Sequence, residues 1–312
     1  MSNIGLHGLH CIKTFSIYSG SVENVLRVKV NLPWELLIIE VIRMKKEERL
    51  VNKIKRLLKR LGCPRWLHHF GPKKYELYQH VFAFVVMTVC RLSLRRVYKF
   101  LEMFGYRVPT FSALCKSRKR ISPTIFQRAL ALTSGENHQL VAIDSTGISR
   151  TNPSYHYIKR IDRKKPIKSY VKQSTLFDVE NKTFIALRVR SRPRHDIKDA
   201  EYLLKRTDIQ TTLFGDTAYD SEKLHEYCFE KGIQTQIKPR KNVKRGFYRR
   251  KQMKNYSEEI YHQRSLIESG FGSLKRKYGG YTLARDWKAI RTEAYLRAIS
   301  HNLRLSSIEI FN

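Results

Sequence analysis

From His138 onward the sequence alternates short β-type runs with helical stretches, and no other feature limits the fold as tightly. Residues 140–143 are an apolar run ending at Asp144. Residues 170–179 and 183–190 are two alternating runs joined by Glu180-Asn181-Lys182, the pattern of a hairpin. Residues 196–206 read as a helix capped by Asp196, 211–215 as a strand ending at Asp216, and 220–231 as a helix closed by Gly232. A strand at 233–237, a long helix at 256–278 and a last helix at 286–305 complete the order. Strand–helix–strand units imply parallel pairing and the hairpin implies antiparallel pairing. The expectation is therefore one mixed sheet with helices on its faces, an α/β fold.

Residues 45–135 carry a different pattern. Val51, Ile54, Leu57, Leu58 and Leu61 recur at helical spacing among lysines. Helices follow at 75–91 and at 93–104, the latter with Ser93 as cap and Gly105 as stop, and at 111–121 behind Thr110. Two short helices across a glycine-containing turn, the second bearing Lys116, Arg118, Lys119 and Arg120, fit either a helix-turn-helix or a solvated basic face. Residues 1–43 hold few charges and no clear period. They are either a translated leader ahead of a start at Met44 or a poorly ordered arm. The expected partition is thus 1–43, a helical, candidate DNA-binding region at 44–135, and an α/β domain at 136–312.

Charge narrows the partner. Lysine and arginine number 61 against 27 acids, a formal net charge of +34 that calls for a polyanion. A hydrophobic fraction of 42% excludes wholesale disorder. The longest apolar run, 81–90, falls short of the roughly 20 residues that span a bilayer. Five scattered cysteines without a CxxC pair argue against a zinc site or disulfide framework and fit a reducing cytoplasm.

In so basic a chain the positions of the acids carry information. Asp144 and Asp216 each end a strand, and sites in open α/β sheets collect at strand ends. Two such carboxylates repel unless a divalent cation lies between them, and oxygen ligands favour magnesium or manganese. The alternative is that each aspartate caps the element that follows. Glu268 is the third acid. At about 100° per residue, Tyr261, Arg264, Glu268 and Lys275 fall within roughly 60° of one another, beside a core stripe of Ile260, Ile267, Phe271, Leu274 and Tyr278. A carboxylate flanked by cations suits a metal-binding acid next to a phosphate backbone, and Gly272 on the same stripe leaves room for a ligand. An exposed helical face is the competing reading, which Gly270 and Gly272 fit poorly. Residues 238–254 hold nine basic residues and no acid: Lys238, Arg240, Lys241, Lys244, Arg245, Arg249, Arg250, Lys251 and Lys254. That run reads as a mobile loop that neutralises a nucleic-acid backbone, with Phe247 or Tyr248 free to stack on a base, or else as a merely solvated loop.

These motifs resemble those of the prokaryotic DDE-type insertion-sequence transposases. The residues that carry the resemblance are Asp144 in AIDST, Asp216 in GDTAYDS, and the helix YHQRSLIESGFGSLK. In that helix Tyr261, Arg264, Glu268 and Lys275 keep the family's tyrosine-(2)-arginine-(3)-glutamate-(6)-lysine spacing. The resemblance covers about residues 138–305, with a looser one over 75–125, and Arg194-His195-Asp196 is a recurrent family feature. It implies a ribonuclease H-like fold in which Asp144, Asp216 and Glu268 hold two Mg2+ or Mn2+ ions for DNA cleavage and strand transfer. It also implies that Arg264 and Lys275, with Arg276, grip phosphates and that Tyr261 positions DNA. The partners are then double-stranded DNA at the element's ends and its target, bound by a homodimer or higher oligomer on the nucleoid. Only 52 residues separate Asp216 from Glu268, too few for the large β insertion of some relatives. A non-catalytic DNA-binding relative acting as a regulator, or another ribonuclease H-like nuclease, are the alternatives.

Overall fold

The computed structural model describes residues 50–70, 73–150, 170–192, 194–241 and 245–305. The expected leader or arm at 1–43 lies outside them. Five helices come first: α1 (Leu50–Arg60), α2 (Leu77–Val89), α3 (Leu94–Met103), α4 (Phe111–Arg120) and α5 (Pro123–Ser134). The apolar stripe of α1 buries Leu50, Ile54, Leu57 and Leu58. Helix α2 is buried on all sides from Val81 to Thr88, which explains its unbroken apolar run. Among the described residues no single helix is long and apolar enough to cross a membrane. Ser93 Oγ accepts the Arg96 N–H and caps α3, and Gly105 at φ +73° lets the chain leave it. In α4, Leu114 and Ser117 face inward while Lys116, Lys119 and Arg120 are exposed.

The second half builds β1 (His138–Ser149), β2 (Tyr170–Asp178), β3 (Phe184–Arg190), α6 (Ile197–Leu204), β4 (Ile209–Gly215), α7 (Glu222–Glu230) and β5 (Gln234–Ile237). Helices α8 (Phe247–Met253), α9 (Glu258–Tyr261), α10 (Ser265–Tyr278) and α11 (Trp287–Leu305) follow. The strands form one sheet in the order β3-β2-β1-β4-β5. Pairs β1–β2 and β2–β3 are antiparallel, and β1–β4 and β4–β5 are parallel. This is the mixed sheet of a ribonuclease H-like fold. The β2–β3 turn is tied by Asp178, whose carboxylate accepts the Asn181 N–H at 2.8 Å and faces His138 Nδ1 at 2.7 Å. Burial works to raise the Asp178 pKa, but the bonds from His138 and Asn181 outweigh it and hold the group below the usual aspartate value.

One face of the sheet packs Val141, Ile143, Leu176 and Leu213 against Leu203, Leu224 and Cys228 of α6 and α7. On the other, Phe184 lies between Phe177 and Phe271 of α10. Helix α11, buried from Ala289 to Leu303 except at Arg291, touches α2, α5 and β3, so helices α1–α5 and the sheet form one compact unit. Side chains take up backbone groups at both edges of the sheet. At β3, Asn302 Oδ1 accepts the Phe184 N–H and Asn302 Nδ2 donates to its carbonyl. At β5, Gln252 accepts the Thr235 N–H and donates to the Ile233 carbonyl.

Three expectations need correction. Strand β1 does not end at Asp144 but runs on to Ser149, because its antiparallel pairing with β2 continues from Val141↔Asp178 to Ser149↔Tyr170. The long helix at 256–278 is α9, a 3-10 turn at His262–Arg264, and α10. The basic run at 238–254 is not one loop, since Phe247–Met253 is helical. There Arg249, expected to face nucleic acid, is buried: its Nε donates to Asp220 at 2.6 Å and its backbone N–H points at Glu222. Acids from the start of α7 and the turn ahead of it neutralise the run locally, which allows it to pack.

Candidate active site

The parallel pairing of β1 and β4 ends at Ile143↔Gly215. The residue that follows each is an aspartate, Asp144 within β1 and Asp216 just past the end of β4, so the two leave the sheet at the same level. Gly215 has to be small there: a Cβ would sit 3.2–3.3 Å from Ile143, Ile237 and Tyr219. Asp216 caps the 3-10 turn Thr217–Tyr219, its Oδ1 accepting the Ala218 N–H at 2.9 Å. Asp144 Oδ1 accepts the Ser145 N–H at 2.7 Å. Burial pushes the Asp144 pKa up to about 6; the negative charges of Asp216 and Glu268 add to the rise, while the Ser145 N–H and Arg264 oppose it.

Glu268 arrives from α10 on the same side. Arg264 joins them: its Nη2 donates to Glu268 Oε1 at 2.9 Å and its Nη1 lies 3.8 Å from Asp144 Oδ2. Arg264 also sits 5.9 Å from the centre of the Tyr261 ring. The angular grouping of Tyr261, Arg264 and Glu268 therefore survives the 3-10 turn. Lys275 and Arg276 are exposed further along α10. Nothing lies within 4 Å of a Cβ built on Gly272, whereas one on Gly270 would meet Phe177 at 2.9 Å. Gly270 is thus required by core packing, not by a ligand.

The flanking basic residues divide by role. Lys238 is exposed and 3.3 Å from Glu258. Arg240 ties down the loop after Asp216: its guanidinium donates to the Thr217 and Ala218 carbonyls at 3.1 Å, and its backbone N–H donates to Asp220 at 2.9 Å. Lys241, Arg245 and Arg250 are exposed, as is Lys251, which lies over the rings of Phe229 and Phe247. Lys244 lies outside the described residues.

Sequence reasoning missed Asp220, the second aspartate of GDTAYDS. It is fully buried and held by His225 Nε2 at 3.1 Å as well as by Arg249 and Arg240. Burial raises its pKa, but these hydrogen bonds outweigh that and depress it strongly. It missed Tyr219 too, whose hydroxyl is fully buried beside Ser145. Burial first, then the charges of Asp196, Asp144 and Asp216, push that hydroxyl well above the usual tyrosine value.

As a donor set, Asp144, Asp216 and Glu268 fit a hard divalent cation: all donors are oxygens, and the Asp144 pKa is raised first by burial and then by the neighbouring charges of Asp216 and Glu268. Among the described residues, no three His, Cys, Asp or Glu side chains already close on a common point. The Arg264 guanidinium bridges Glu268 and Asp144 instead.

Residues 135–303, more than half of the chain, match the family model described as the transposase DDE domain. The chain belongs to the DDE transposase family. The matched span contains Asp144, Asp216 and Glu268 and runs from the end of α5 through most of α11. Among solved structures, a cryo-EM structure of the piggyBac transposase synaptic complex with hairpin DNA is similar at 12% identity and a TM-score of 0.38, over 85% of this chain and 75% of that one. No curated protein matches the sequence.

Proposed function

We propose that this transposase binds the ends of its own mobile element and catalyses metal-dependent DNA cleavage and strand transfer at Asp144, Asp216 and Glu268. The observation that carries this reading is the Ile143↔Gly215 register, which sets two aspartates side by side beneath a helix that brings a glutamate and an arginine to them. Two Mg2+ or Mn2+ ions held by the three carboxylates would activate the attacking oxygen and stabilise the leaving one. Ser145 N–H fixes one oxygen of Asp144 and leaves Oδ2 facing the site. Arg264 holds the carboxylates together until a phosphate competes for its guanidinium. Tyr261, Lys275 and Arg276 extend the contact along α10. Lys238, Lys241, Arg245, Arg250 and Lys251 supply exposed charge for the backbone on the flank. Arg240 acts on the Asp216 loop, and Arg249 is removed from the DNA-facing set by its burial. Double-stranded DNA is the partner, engaged by a dimer or higher oligomer.

The test is incubation with DNA from the element's ends and Mg2+. Asp144→Asn, Asp216→Asn and Glu268→Gln are each expected to lose cleavage and keep DNA binding. Cleavage retained in any one removes that residue from the triad. Wild-type protein that binds these ends yet never cuts with any divalent ion would instead be the regulator.

A further inference from the structure

Behind Asp144, on the opposite face of β1, lies a polar network that the proposed chemistry does not use. Successive side chains of a strand point to opposite faces, so Ser145 faces α6 while Asp144 faces α10. Ser145 stands directly across from Ser174 of β2. Two aspartates three residues apart at the start of α6 meet this pair. Asp196 accepts the Ser145 hydroxyl, and Asp199 accepts the Ser174 hydroxyl at 2.9 Å. Lys172, buried on β2, joins the two acids, with Nζ 2.6 Å from Asp196 and 3.8 Å from Asp199. Asp199 is fully buried and further held by Arg190 at 2.5 Å and Arg188 at 3.2 Å.

The two aspartates divide the labour. Asp199, enclosed by three cations and a serine, fastens α6 to the sheet. Asp196 is 29% exposed and its acceptor contact falls on the one residue whose backbone N–H holds Asp144 Oδ1. The buried Tyr219 hydroxyl lies beside Ser145 and within the fields of Asp196, Asp144 and Asp216, on the edge of the network nearest the acid pair.

We infer that Asp196 is a positioning residue for Asp144, acting through Ser145: it fixes the strand where the Ser145 N–H turns one carboxylate oxygen inward and leaves the other for the metal. The inference rests on the assignment of Asp144 to the metal-binding set. Groups that orient a metal ligand in this way typically cost 10- to 100-fold in metal affinity or activity when removed, so about that loss is expected here.

Asp196→Ala is therefore expected to lower both Mn2+ affinity, read by electron paramagnetic resonance on DNA-free protein, and the single-turnover cleavage rate by about 10- to 100-fold. DNA affinity stays near wild type and the protein stays folded, with a melting temperature lowered by a few degrees as Lys172 loses its nearer acid, because Asp199 still anchors α6 and, with the Arg194 carbonyl, still holds Lys172. Ser145→Ala gives the same loss, and the double variant is no worse than either single one, since both break one linkage. Asp196→Asn, which keeps an acceptor for the Ser145 hydroxyl, restores most of the Mn2+ affinity. The proposal is overturned if Asp196→Ala leaves Mn2+ affinity unchanged, if melting temperature and DNA binding fall together with it, or if the two single losses add. Asp144→Asn run in parallel separates the two ideas: cleavage surviving that change sinks the active-site assignment itself, whatever Asp196 does.

Discussion

Replacing Asp220 by alanine removes the partner of a buried cation and loosens the loop that presents Asp216. The Asp220 carboxylate is fully buried and binds Arg249 Nε at 2.6 Å, His225 Nε2 at 3.1 Å and the Arg240 N–H at 2.9 Å. Breaking a buried ion pair from one side costs about 3–5 kcal/mol, because the other charge is left without compensation. Arg249 keeps the Arg245 carbonyl and a longer contact to Glu222 at 3.9 Å, which places Asp220→Ala near the low end. For a unit of this size about 3 kcal/mol lowers the melting temperature by roughly 6–12 °C. Urea unfolding followed by circular dichroism measures the loss directly. The sign with pH follows from the depressed pKa. The contribution of Asp220 is fully present above the ordinary aspartate value near 3.9 and is lost only as pH falls below it toward the lower folded value. A loss under about 1 kcal/mol, or wild-type acid sensitivity in Asp220→Ala, refutes the claim that this carboxylate holds the loop.

Other consequences are open to measurement. Gly270→Ala drives a methyl to within 2.9 Å of Phe177 and is expected to destabilise by about 1–3 kcal/mol, whereas Gly272→Ala meets nothing and gains about 1 kcal/mol; equal shifts in thermal unfolding contradict the packing. Lys275→Ala and Arg276→Ala are each expected to lower the slope of log affinity against log salt by about one, and an unchanged slope means that the side chain touches no phosphate. Asp144 binds its proton more tightly folded than unfolded, so metal-free protein loses stability as pH rises from about 4 through about 6. Asp144→Asn flattens that limb, and a limb of the same depth in the variant assigns it elsewhere.

The strand and helix order was readable because each element carries its own period, and so was the adjacency of Asp144 and Asp216, since each directly follows an apolar run of strand type. The reach of β1 was not. Ser145 to Ser149 is mostly polar and becomes strand through pairing with β2, more than twenty residues away in sequence. Arg249 looked like the other cations of its run because the acids that bury it lie more than twenty residues earlier, Asp220 in the turn before α7 and Glu222 at its first position. The break before α10 had no local signal either: neither Gly nor Pro lies between Glu258 and Ser265. Gly270 and Gly272 show the limit from another side. Both are glycines near Glu268, but only the partner ring of Phe177 tells the core position from the open one.

The central claim is that Asp144, Asp216 and Glu268 bring a divalent ion to a DNA phosphate. Sulfur placed at a non-bridging oxygen of the scissile phosphate tests it most directly, since manganese accepts sulfur better than magnesium does. The account predicts that the substitution slows Mg2+-supported cleavage and that Mn2+ restores it. Identical oxygen-to-sulfur rate ratios in both metals, or cleavage that persists in a chelator, would contradict it.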